Sequence, residues 1–340
     1  MKGDNFMNKK VVTLGEMLLR LSTNNNNRFI TSKSFDIHFG GAEINVGVNL
    51  ANLGLNSYVI TKVPNNDIGT ASVNYLKSHG VYTDYVKTGS ERLGIYFLEQ
   101  GTSLRNSKVI YDRADSAFCN IDIDELDIDE ILENTDLFHV SGITLTLSEK
   151  TFELSKLILQ KCKEKNITTS FDFNYRSKLW TLQEAKEKIV EILPYVDIAF
   201  AGYLDFINIL GFKTDATNLM DTYKDLYPKV AEKYNFKYIV SSMRDVISAS
   251  KNNYKCILFH NDNIYESKQY QIDIVDRVGS GDAFTSGFLY SFLTSDDNNY
   301  RIQFAAASAA IKHTIVGDAN LTTKEEIENL FNSDSFEIGR

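Results

Sequence analysis

Residues 276–284 read DRVGSGDAF, and they connect an alternating stretch to a helix of small residues predicted to run to about Leu293. Gly279 and Gly281 let the backbone turn tightly and bring its N–H groups close to a ligand. The N-terminus of the helix adds partial positive charge, so the segment is suited to an anion. Asp282 follows at once, and a carboxylate beside a bound anion is unfavourable unless it has a chemical role, such as accepting the proton of a hydroxyl. The segment therefore indicates a phosphoryl-transfer site, with an Asp-capped helix start as the alternative.

Strands and helices alternate upstream of this segment. Short apolar runs at 137–143, 168–174 and 197–202 are separated by helical patterns at about 148–165 and 181–193. This alternation is typical of a mostly parallel sheet covered by helices on both faces. Such sheets bind ligands at the carboxyl ends of their strands, so we predict an α/β fold with its site at that edge.

The N-terminal third predicts a second, smaller sheet. Residues 10–21 (KVVTLGEMLLRL) are predicted to contain an early strand, with VVTL as its β-rich part and Gly15 permitting a sharp exit from it. Residues 40–55 (GGAEINVGVNLANLGL) have apolar residues at helical spacing. Alternating runs at 28–39, 93–100 and 107–114 predict three half-exposed strands. These three strands could pair in one small sheet.

Composition and charge exclude several classes of protein. The chain has 340 residues, of which 43% are hydrophobic, enough for a sizeable core. No run of roughly 18 apolar residues occurs, so we expect a cytoplasmic protein with no membrane partner, its residues 1–9 disordered. The net charge of −9 and the lack of a Lys/Arg run argue against nucleic acid as a partner. The 3 cysteines and 5 histidines are scattered, so we expect buried cysteines and neither disulfides nor a zinc site.

Polar residues collect at predicted strand ends. Gly41 and Asn45 lie between a strand and a helix, where the backbone can approach a ligand, although a plain glycine turn fits equally well. Asp172, Asn174 and Arg176 leave another strand together. A guanidinium there could bind a carboxylate or a phosphate, or form an ordinary surface salt bridge.

The predicted small sheet carries its own polar residues. Tyr111 and Arg113 are two positions apart on one strand, so they share a face, and Tyr96 lies on the neighbouring strand. An aromatic ring with a polar tip beside a cation suits a sugar acid. It also suits the exposed face of an amphipathic sheet.

The position of the glycine loop argues against the common nucleotide motifs. A dinucleotide-binding dehydrogenase has G-x-G-x-x-G after its first strand, whereas this loop lies near residue 280 and no third glycine follows until Gly287. The Walker A pattern and the loops of protein kinases do not occur in the sequence. A different phosphate-binding design is required.

Two segments together resemble the signatures of the ribokinase-like (PfkB) carbohydrate kinases. GGAEINVGVNLANLG, from residue 40, resembles the first signature, and DRVGSGDAFTSG, from residue 276, resembles the second. Within that family, GEMLLRLS, SGITLTLS, FDFNYRSKLW and HTIVGDAN are similar to the 2-keto-3-deoxygluconate kinases. The resemblance implies one ribokinase-like kinase domain over about 10–330, with a mostly parallel central sheet flanked by helices. It also implies a small β-sheet lid from about 28–39 and 93–114.

The resemblance also implies roles for individual residues. Asp282 would be the base on the sugar hydroxyl, and the backbone of Gly279, Ser280 and Gly281 would be the anion hole. Arg113 and Arg176 would be the partners of a substrate carboxylate. The full implied set of sugar contacts is Gly41, Asn45, Tyr96, Tyr111, Arg113, Arg176 and Asp318. The implied nucleotide contacts are Asn174, Ser242, Arg244, Gly279 and Gly281.

The activity implied by the resemblance is ATP-dependent phosphorylation of a sugar acid. The preferred reaction is 2-keto-3-deoxygluconate to its 6-phosphate, with ATP, Mg2+ and, as a further option, a monovalent cation. The lid would also mediate a homo-oligomer. The alternatives are a fructokinase- or ribokinase-like kinase and a sugar-binding regulator that has lost catalysis.

The chain departs from the family pattern in two places. Where the family has an N-x-x-E motif near the metal, residues 202–205 read GYLD, which leaves Asp205 as the candidate metal ligand. Where the family has a K-x-G-x-x-G turn near adenine, residues 242–245 read SMRD. Both the metal arrangement and the nucleotide preference therefore stay open.

Overall fold

The computed structural model describes residues 8–89 and 91–332. Of the nine residues predicted to be disordered, 1–7 therefore lie outside the described residues, while Lys9 forms an ion pair with Asp136 at 2.7 Å. The strands are β1 Lys10–Leu14, β2 Leu18–Thr23, β3 Phe35–Gly40, β4 Asn56–Pro64, β5 Val86–Gly89, β6 Gly94–Glu99, β7 Lys108–Asp112, β8 Thr135–Ser141, β9 Thr168–Asp172, β10 Ile198–Phe200, β11 Tyr238–Ser248, β12 Lys251–His260, β13 Asn263–Glu266 and β14 Tyr270–Asp273. The helices are α1 Ala42–Asn52, α2 Asp67–Ser78, α3 Ile128–Leu132, α4 Gly142–Leu147, α5 Glu149–Glu164, α6 Leu182–Ile192, α7 Tyr203–Asn208, α8 Leu219–Tyr234, α9 Ser280–Thr294, α10 Asn298–Lys312 and α11 Lys324–Asn332.

A large sheet forms the centre of the fold. Within the described residues it has 10 strands, in the order β13-β12-β11-β10-β9-β8-β1-β4-β5, and β14 also pairs with β12. The strands from β11 to β5 pair in parallel, while β12, β13 and β14 form an antiparallel edge. The predicted mostly parallel sheet is confirmed.

Helices cover both faces of this sheet. Leu137 and Phe138 are neighbours on β8, and because side chains alternate along a strand they enter two different buried clusters. Phe138 packs in the cluster that includes Ile158 of α5, and Leu137 packs in the one that includes Phe288 of α9. Burial on both faces explains why the strands read as continuous apolar runs.

The helices begin at residues that cap them. Ser148 accepts a hydrogen bond from the backbone of Thr151 at the start of α5, and Thr181 forms the same capping box with Glu184 at the start of α6. Such caps satisfy N–H groups that have no partner within the helix. They agree with the helix starts predicted near 148 and 181.

The small sheet is larger than the sequence predicted. Within the described residues it has 4 strands, in the order β3-β2-β6-β7, and we call it the lid. The early strand predicted within 10–21 is β1, and the chain leaves the large sheet after Leu14, at the exit predicted for Gly15. The sequence did not predict that the following residues form the separate lid strand β2. Gly15 makes this exit possible, since a Cβ there would lie 2.3 Å from Oε2 of Glu43.

The strand predicted over 28–39 is shorter than expected. It begins only at Phe35, which is paired with Thr23, the last residue of β2. Upstream of Phe35 the chain has no strand partner there, and Ile30 is 84% exposed. Alternation alone does not form a strand where no neighbour supplies hydrogen bonds. The strands predicted within 93–114 are present as β6 and β7.

The remaining expectations concern cysteines and membranes. Cys119, Cys162 and Cys256 are buried and free, as predicted. Among the residues that the structure describes, no helix is both long and apolar enough to cross a bilayer.

Candidate active site

A cavity of about 750 Å³ lies between the lid and the carboxyl ends of the central strands. It brings together every residue for which the sequence predicted a role. The large domain contributes Gly41, Asn45, Asn174, Arg176, Asp205, Ser242, Arg244, Gly279, Ser280, Gly281, Asp282 and Asp318, and the lid side contributes Tyr96, Tyr111 and Arg113.

The glycine turn predicted to form an anion cradle lies directly before and within the first turn of α9. Gly279 precedes the helix in the left-handed region, with φ 76° and ψ 0°, and a Cβ there would lie 1.8 Å from the carbonyl oxygen of Asp318. Gly281 faces open space, because the nearest atom to an added Cβ is Nη2 of Arg244 at 3.7 Å. The first N–H groups of a helix have no partner within it. That of Ser280 donates to the carbonyl oxygen of Arg277 at 3.3 Å, so the N–H of Gly281 is the one best placed for an oxyanion in this space.

Asp282 lies in the first turn of α9 and is partly exposed to the cavity. Its Oδ2 accepts a hydrogen bond of 2.6 Å from Nδ2 of Asn45 on α1. Burial raises the pKa of Asp282 to about 7, the Asn45 bond opposes this, and the negative charge of Asp172 adds to it. A carboxylate that titrates near neutral pH is suited to accepting a proton from a hydroxyl.

Two further carboxyl groups lie close to Asp282. Burial also raises the pKa of Asp172 to about 7, while the positive charge of Arg176 opposes the shift. Glu43 is buried at the start of α1 and accepts hydrogen bonds from Ser141 and Thr144, and burial raises its pKa as well. The proximity of three acids disfavours further negative charge and favours the protonated form of each carboxyl group.

The lid side of the cavity contains a buried ion pair. Arg113 is 8% exposed, and its Nε donates to Oε2 of Glu16 at 2.8 Å, with Nη2 bonded to the same oxygen. Ser116 donates to the other oxygen of Glu16. The Arg113 guanidinium also lies 5.8 Å from the centre of the Tyr111 ring. Arg176 differs, because it is exposed and pairs with no carboxylate within the described residues.

The lid also reaches the segment around the anion cradle. The hydroxyl of Tyr96 on β6 donates to Oδ1 of Asp318 at 2.5 Å. Arg20 on β2 places Nη1 3.0 Å from Oδ2 of Asp318 and Nη2 2.7 Å from Oδ2 of Asp276. The carboxylate of Asp318, predicted to contact the sugar, is therefore already held by the lid.

Two arginines lie beside the anion cradle. Arg244 is exposed on β11, and Arg277 is half-buried with Nη2 donating to the carbonyl oxygen of Ala249 at 3.3 Å. Burial lowers the pKa of Arg277, and the charge of Arg244 lowers it further. Neither guanidinium pairs with a carboxylate in the ranges 8–89 and 91–332. The pair is therefore available to an anion with several charges.

Comparison with known proteins identifies the family. The pfkB family carbohydrate kinase profile matches residues 8–325. The chain belongs to this family of carbohydrate kinases. A 2-dehydro-3-deoxygalactonokinase from Haloferax volcanii is 33% identical to this PfkB kinase over 335 residues, which cover 98% of the kinase and 100% of that protein.

Two crystal structures share both sequence and fold with the PfkB kinase. The 2-dehydro-3-deoxygluconokinase from Thermotoga maritima is 41% identical with a TM-score of 0.93, covering 96% of the kinase and 99% of that chain. A PfkB family carbohydrate kinase from Listeria grayi is 39% identical with a TM-score of 0.92, covering 96% and 100%. The predicted ribokinase-like fold and the predicted enzyme class are confirmed.

The metal environment of the PfkB kinase is sparse. No group of three or more His, Cys, Asp or Glu side chains in the described part of the chain could hold a metal ion. Mg2+ usually takes one or two carboxylates and completes its shell with phosphate oxygens and water. Asp172 and Asp205 both line the cavity, and burial raises the pKa of each. These two carboxylates fit such a site, although Oδ2 of Asp205 also accepts a bond from Gly202 N at 2.7 Å.

Sequence reasoning missed several residues of this site. Glu16, Arg20 and Glu43 carry no local pattern, because their partners are far away in the chain: 97 residues separate Glu16 from Arg113, and 256 separate Arg20 from Asp276. Arg277 was within the segment read as an anion cradle, so its position beside two glycines was a usable signal.

Proposed function

We propose that this PfkB kinase transfers the γ-phosphoryl group of ATP to a hydroxyl of a 2-keto-3-deoxy sugar acid. The preferred reaction is 2-keto-3-deoxygluconate to its 6-phosphate. The observation that carries this proposal is Asp282, a base with a pKa of about 7 beside an anion cradle in a cavity that has arginines at both ends. The names of the Haloferax and Thermotoga relatives support a 2-dehydro-3-deoxy sugar acid as the substrate.

The chemistry requires one proton transfer and one displacement. The substrate hydroxyl oxygen attacks the γ-phosphorus, its proton passes to Oδ of Asp282, and the bond from phosphorus to the β–γ bridging oxygen breaks to release ADP. A positioned general base contributes roughly a hundred- to ten-thousandfold to such a step. The backbone N–H of Gly281 would bind a phosphoryl oxygen, and that of Ser280 would do so by exchanging its 3.3 Å bond to the carbonyl oxygen of Arg277. Each donor of this kind contributes about 3 kcal/mol.

The arginines explain a preference for acids over neutral sugars. The exposed Arg176 has its full set of donors available and can form a paired hydrogen bond with a carboxylate. Arg113 is fixed by Glu16 through Nε and Nη2, so it presents only its remaining edge. Tyr96 and Tyr111 lie with ring centres 6.1 Å apart on the lid and line the same end of the cavity. A neutral sugar would leave Arg176 without a counter-ion.

Nucleotide and metal belong to the opposite end of the cavity. Arg244 and Arg277 would bind the triphosphate, with Ser242 and Asn174 beside it. Mg2+, held by Asp172, Asp205 and phosphate oxygens, would neutralise charge on the transferring group. A monovalent cation and a cytoplasmic location stay predictions from the sequence.

The proposal is tested by measuring ADP release over a panel of sugars. We expect turnover of 2-keto-3-deoxygluconate and 2-keto-3-deoxygalactonate, with fructose and ribose far slower. Arg176→Gln should raise KM for the acids roughly tenfold or more, since it removes a charge-assisted pair. Arg92→Gln is the control, because Arg92 pairs with Asp112 at the lid surface. Fast turnover of fructose alone would overturn the substrate class, and sugar binding with no phosphorylation would favour the regulator.

The outer face of the lid supports the predicted homo-oligomer. Ile37, Leu21, Phe97 and Ile110 are cross-strand neighbours in one row across all four lid strands. Ile37 is 64% exposed and Ile110 is 55% exposed. An apolar row of this kind on the side away from the cavity fits a second copy of the chain.

A further inference from the structure

Arg20 connects the lid to two segments of the large domain. It lies on β2 and is 1% exposed. Its Nη2 is 2.7 Å from Oδ2 of Asp276, which precedes the anion cradle, and its Nη1 is 3.0 Å from Oδ2 of Asp318, which follows α10. Both carboxylates are themselves buried, at 4% and 3% exposure. A single lid side chain therefore neutralises two buried charges that belong to the other half of the site.

Asp276 connects Arg20 to the anion cradle, because its carboxylate contacts both Arg20 and the backbone of the turn before α9. Its Oδ1 accepts a hydrogen bond of 3.0 Å from the backbone N–H of Val278, one residue before Gly279. Its Oδ2 accepts another of 3.1 Å from the N–H of Gly317. The turn that leads into α9 is therefore built around the carboxylate that Arg20 holds.

Asp318 connects Arg20 to the part of the cavity where the sugar is proposed to bind. Tyr96 donates to its Oδ1 at 2.5 Å, and both residues line the cavity where the sugar would bind. The main chain of Asp318 packs closely on the turn before α9, since a Cβ on Gly279 would lie 1.8 Å from its carbonyl oxygen. Arg20 itself is not among the cavity-lining residues, so it acts through its neighbours: these two carboxylates and Tyr96, whose hydroxyl also lies near the guanidinium.

Separating Arg20 from Asp276 or Asp318 is energetically unfavourable, because all three charged side chains are buried. Other polar groups near them are His38 of β3, Tyr75 of α2 and Lys312 of α10, whose Nζ donates to the carbonyl oxygen of Ile315 at 2.9 Å. Removing one partner from a buried ion pair leaves an uncompensated charge. Only a guanidinium has the planar fork that reaches both carboxylates at once. Movement of β2 away from the large domain would strip both of them of that partner.

We propose that Arg20 is a positioning residue that aligns the anion cradle with the closed lid, so that sugar binding and nucleotide binding strengthen each other through it. This inference rests on the proposed function, because it assigns the sugar to the Tyr96 side and the nucleotide phosphates to the α9 side. Energetic coupling of two sites is reciprocal, so it is measurable from either ligand. The coupling passes through Asp276 and Asp318, which contact Arg20 directly.

The test is calorimetry with the full chain and the non-hydrolysable donor β,γ-imido ATP. Its Kd is measured with and without saturating 2-keto-3-deoxygluconate, or with the sugar that the panel identifies if the acids fail. For the natural chain we expect the sugar to tighten binding of the donor by roughly 5- to 150-fold. Arg20→Met should reduce this factor to less than twofold, and Arg20→Lys should keep part of it. The matched control is Arg105→Met, which breaks a lid ion pair with Glu99 of 2.8 Å but contacts neither Asp276 nor Asp318.

Several outcomes separate this inference from a structural role and from the proposed function. A structural role would weaken binding of each ligand alone and leave the ratio unchanged. If Arg20→Met does not fold, Asp276→Asn tests the same link from the large domain and should lower the ratio equally. The inference is overturned if the natural chain shows no coupling, if Arg20→Met keeps it, or if Arg105→Met loses it to the same extent. Failure of the natural chain to phosphorylate any acid contradicts the proposed function alone.

Discussion

Protonation of a single residue, Asp282, decides when the candidate base can act. Burial raises its pKa to about 7, the hydrogen bond from Asn45 opposes the shift, and the charge of Asp172 increases it. Only the ionised carboxylate accepts a proton. The active form is therefore present above this pKa and is lost as the pH falls through it.

Activity should follow this titration. We expect kcat/KM for the sugar to fall below about pH 7 by roughly tenfold per pH unit and to level off above it. In a plot of kcat/KM against pH, Asp172→Asn should move the acidic limb to lower pH, because it removes a negative charge near Asp282. Asn45→Ala should move this limb to higher pH, because it removes a hydrogen bond to the carboxylate of Asp282. Initial rates of ADP release across the neutral range measure both shifts. A limb that stays in place in both variants would show that another group titrates.

Removing the carboxylate tests the base directly. We expect Asp282→Asn to lower kcat roughly a hundred- to ten-thousandfold, because the amide cannot take the proton. The Kd values for sugar and donor should change much less, since the amide keeps the shape of the side chain. Rapid-quench kinetics with calorimetry separate the two effects. An equal loss in binding and turnover would assign Asp282 to substrate binding.

Arg277 lines the cavity, but the family resemblance assigned it no role. Since it lies beside the anion cradle and has no carboxylate partner among the described residues, Arg277→Gln should raise KM for ATP roughly tenfold while KM for the sugar stays constant. Lys substitution should restore part of the affinity. Steady-state kinetics with each substrate varied in turn give the result. A rise in the sugar KM instead would place the phosphates elsewhere.

At the scale of the element, two glycines lie at the start of helix α9, and glycine suits each position for a different structural reason. Gly279 has φ 76° and no room for a Cβ, because Asp318 O would be 1.8 Å away. Gly281 has room, with its nearest neighbour at 3.7 Å. One glycine is therefore required by the fold, and the other leaves space for a ligand.

Alanine substitution should separate these two requirements. Gly281→Ala should leave Tm unchanged or slightly higher, since alanine favours helix, yet lower kcat about a hundredfold by filling the cradle. Gly279→Ala should lower both Tm and activity, because the strained turn must shift. Thermal unfolding and ADP release on the two proteins make the comparison. Equal loss of Tm in both variants would contradict the distinction.

The helices and strands were easier to predict from the sequence than the neighbours with which the strands pair. The helices and the central strands follow from apolar periodicity, and the anion cradle follows from Gly279, Gly281 and Asp282 in one short segment. The division of residues 10–21 between two sheets could not be predicted, because an alternating pattern does not say which neighbour a strand pairs with. The start of β3 likewise depends on where β2 ends.

At the scale of the whole molecule, the lid has two faces with opposite properties. Its inner face supplies Tyr96 to the site and Arg20 to Asp276 and Asp318, and its outer face carries the row that includes Ile37 and Ile110. Pairing of two lids would bury that row and fix each lid from outside. The site contacts that join lid to domain were invisible in the sequence, since they depend on the assembled fold.

Charge on the outer face should prevent association. We expect Ile37→Glu combined with Ile110→Glu to convert a dimer to a monomer, because paired carboxylates would lose their water in the contact. Leu182→Glu is the control, since Leu182 is 43% exposed on α6, outside the lid. Sedimentation velocity gives the masses. A natural chain that is already monomeric, or a double variant that stays dimeric, would contradict the lid contact.

The three residues between β1 and β2 have a mechanical consequence. They join the middle of the large sheet directly to the lid, and Glu16, which holds Arg113, is one of them. Movement of the lid about these residues would displace Glu16 least, so its ion pair with Arg113 would keep its geometry while the far edge of the lid moves. A small carboxylate directed at Arg113, the proposed partner of the substrate acid, would then bind at every position of that edge, which makes this corner a starting point for inhibitors.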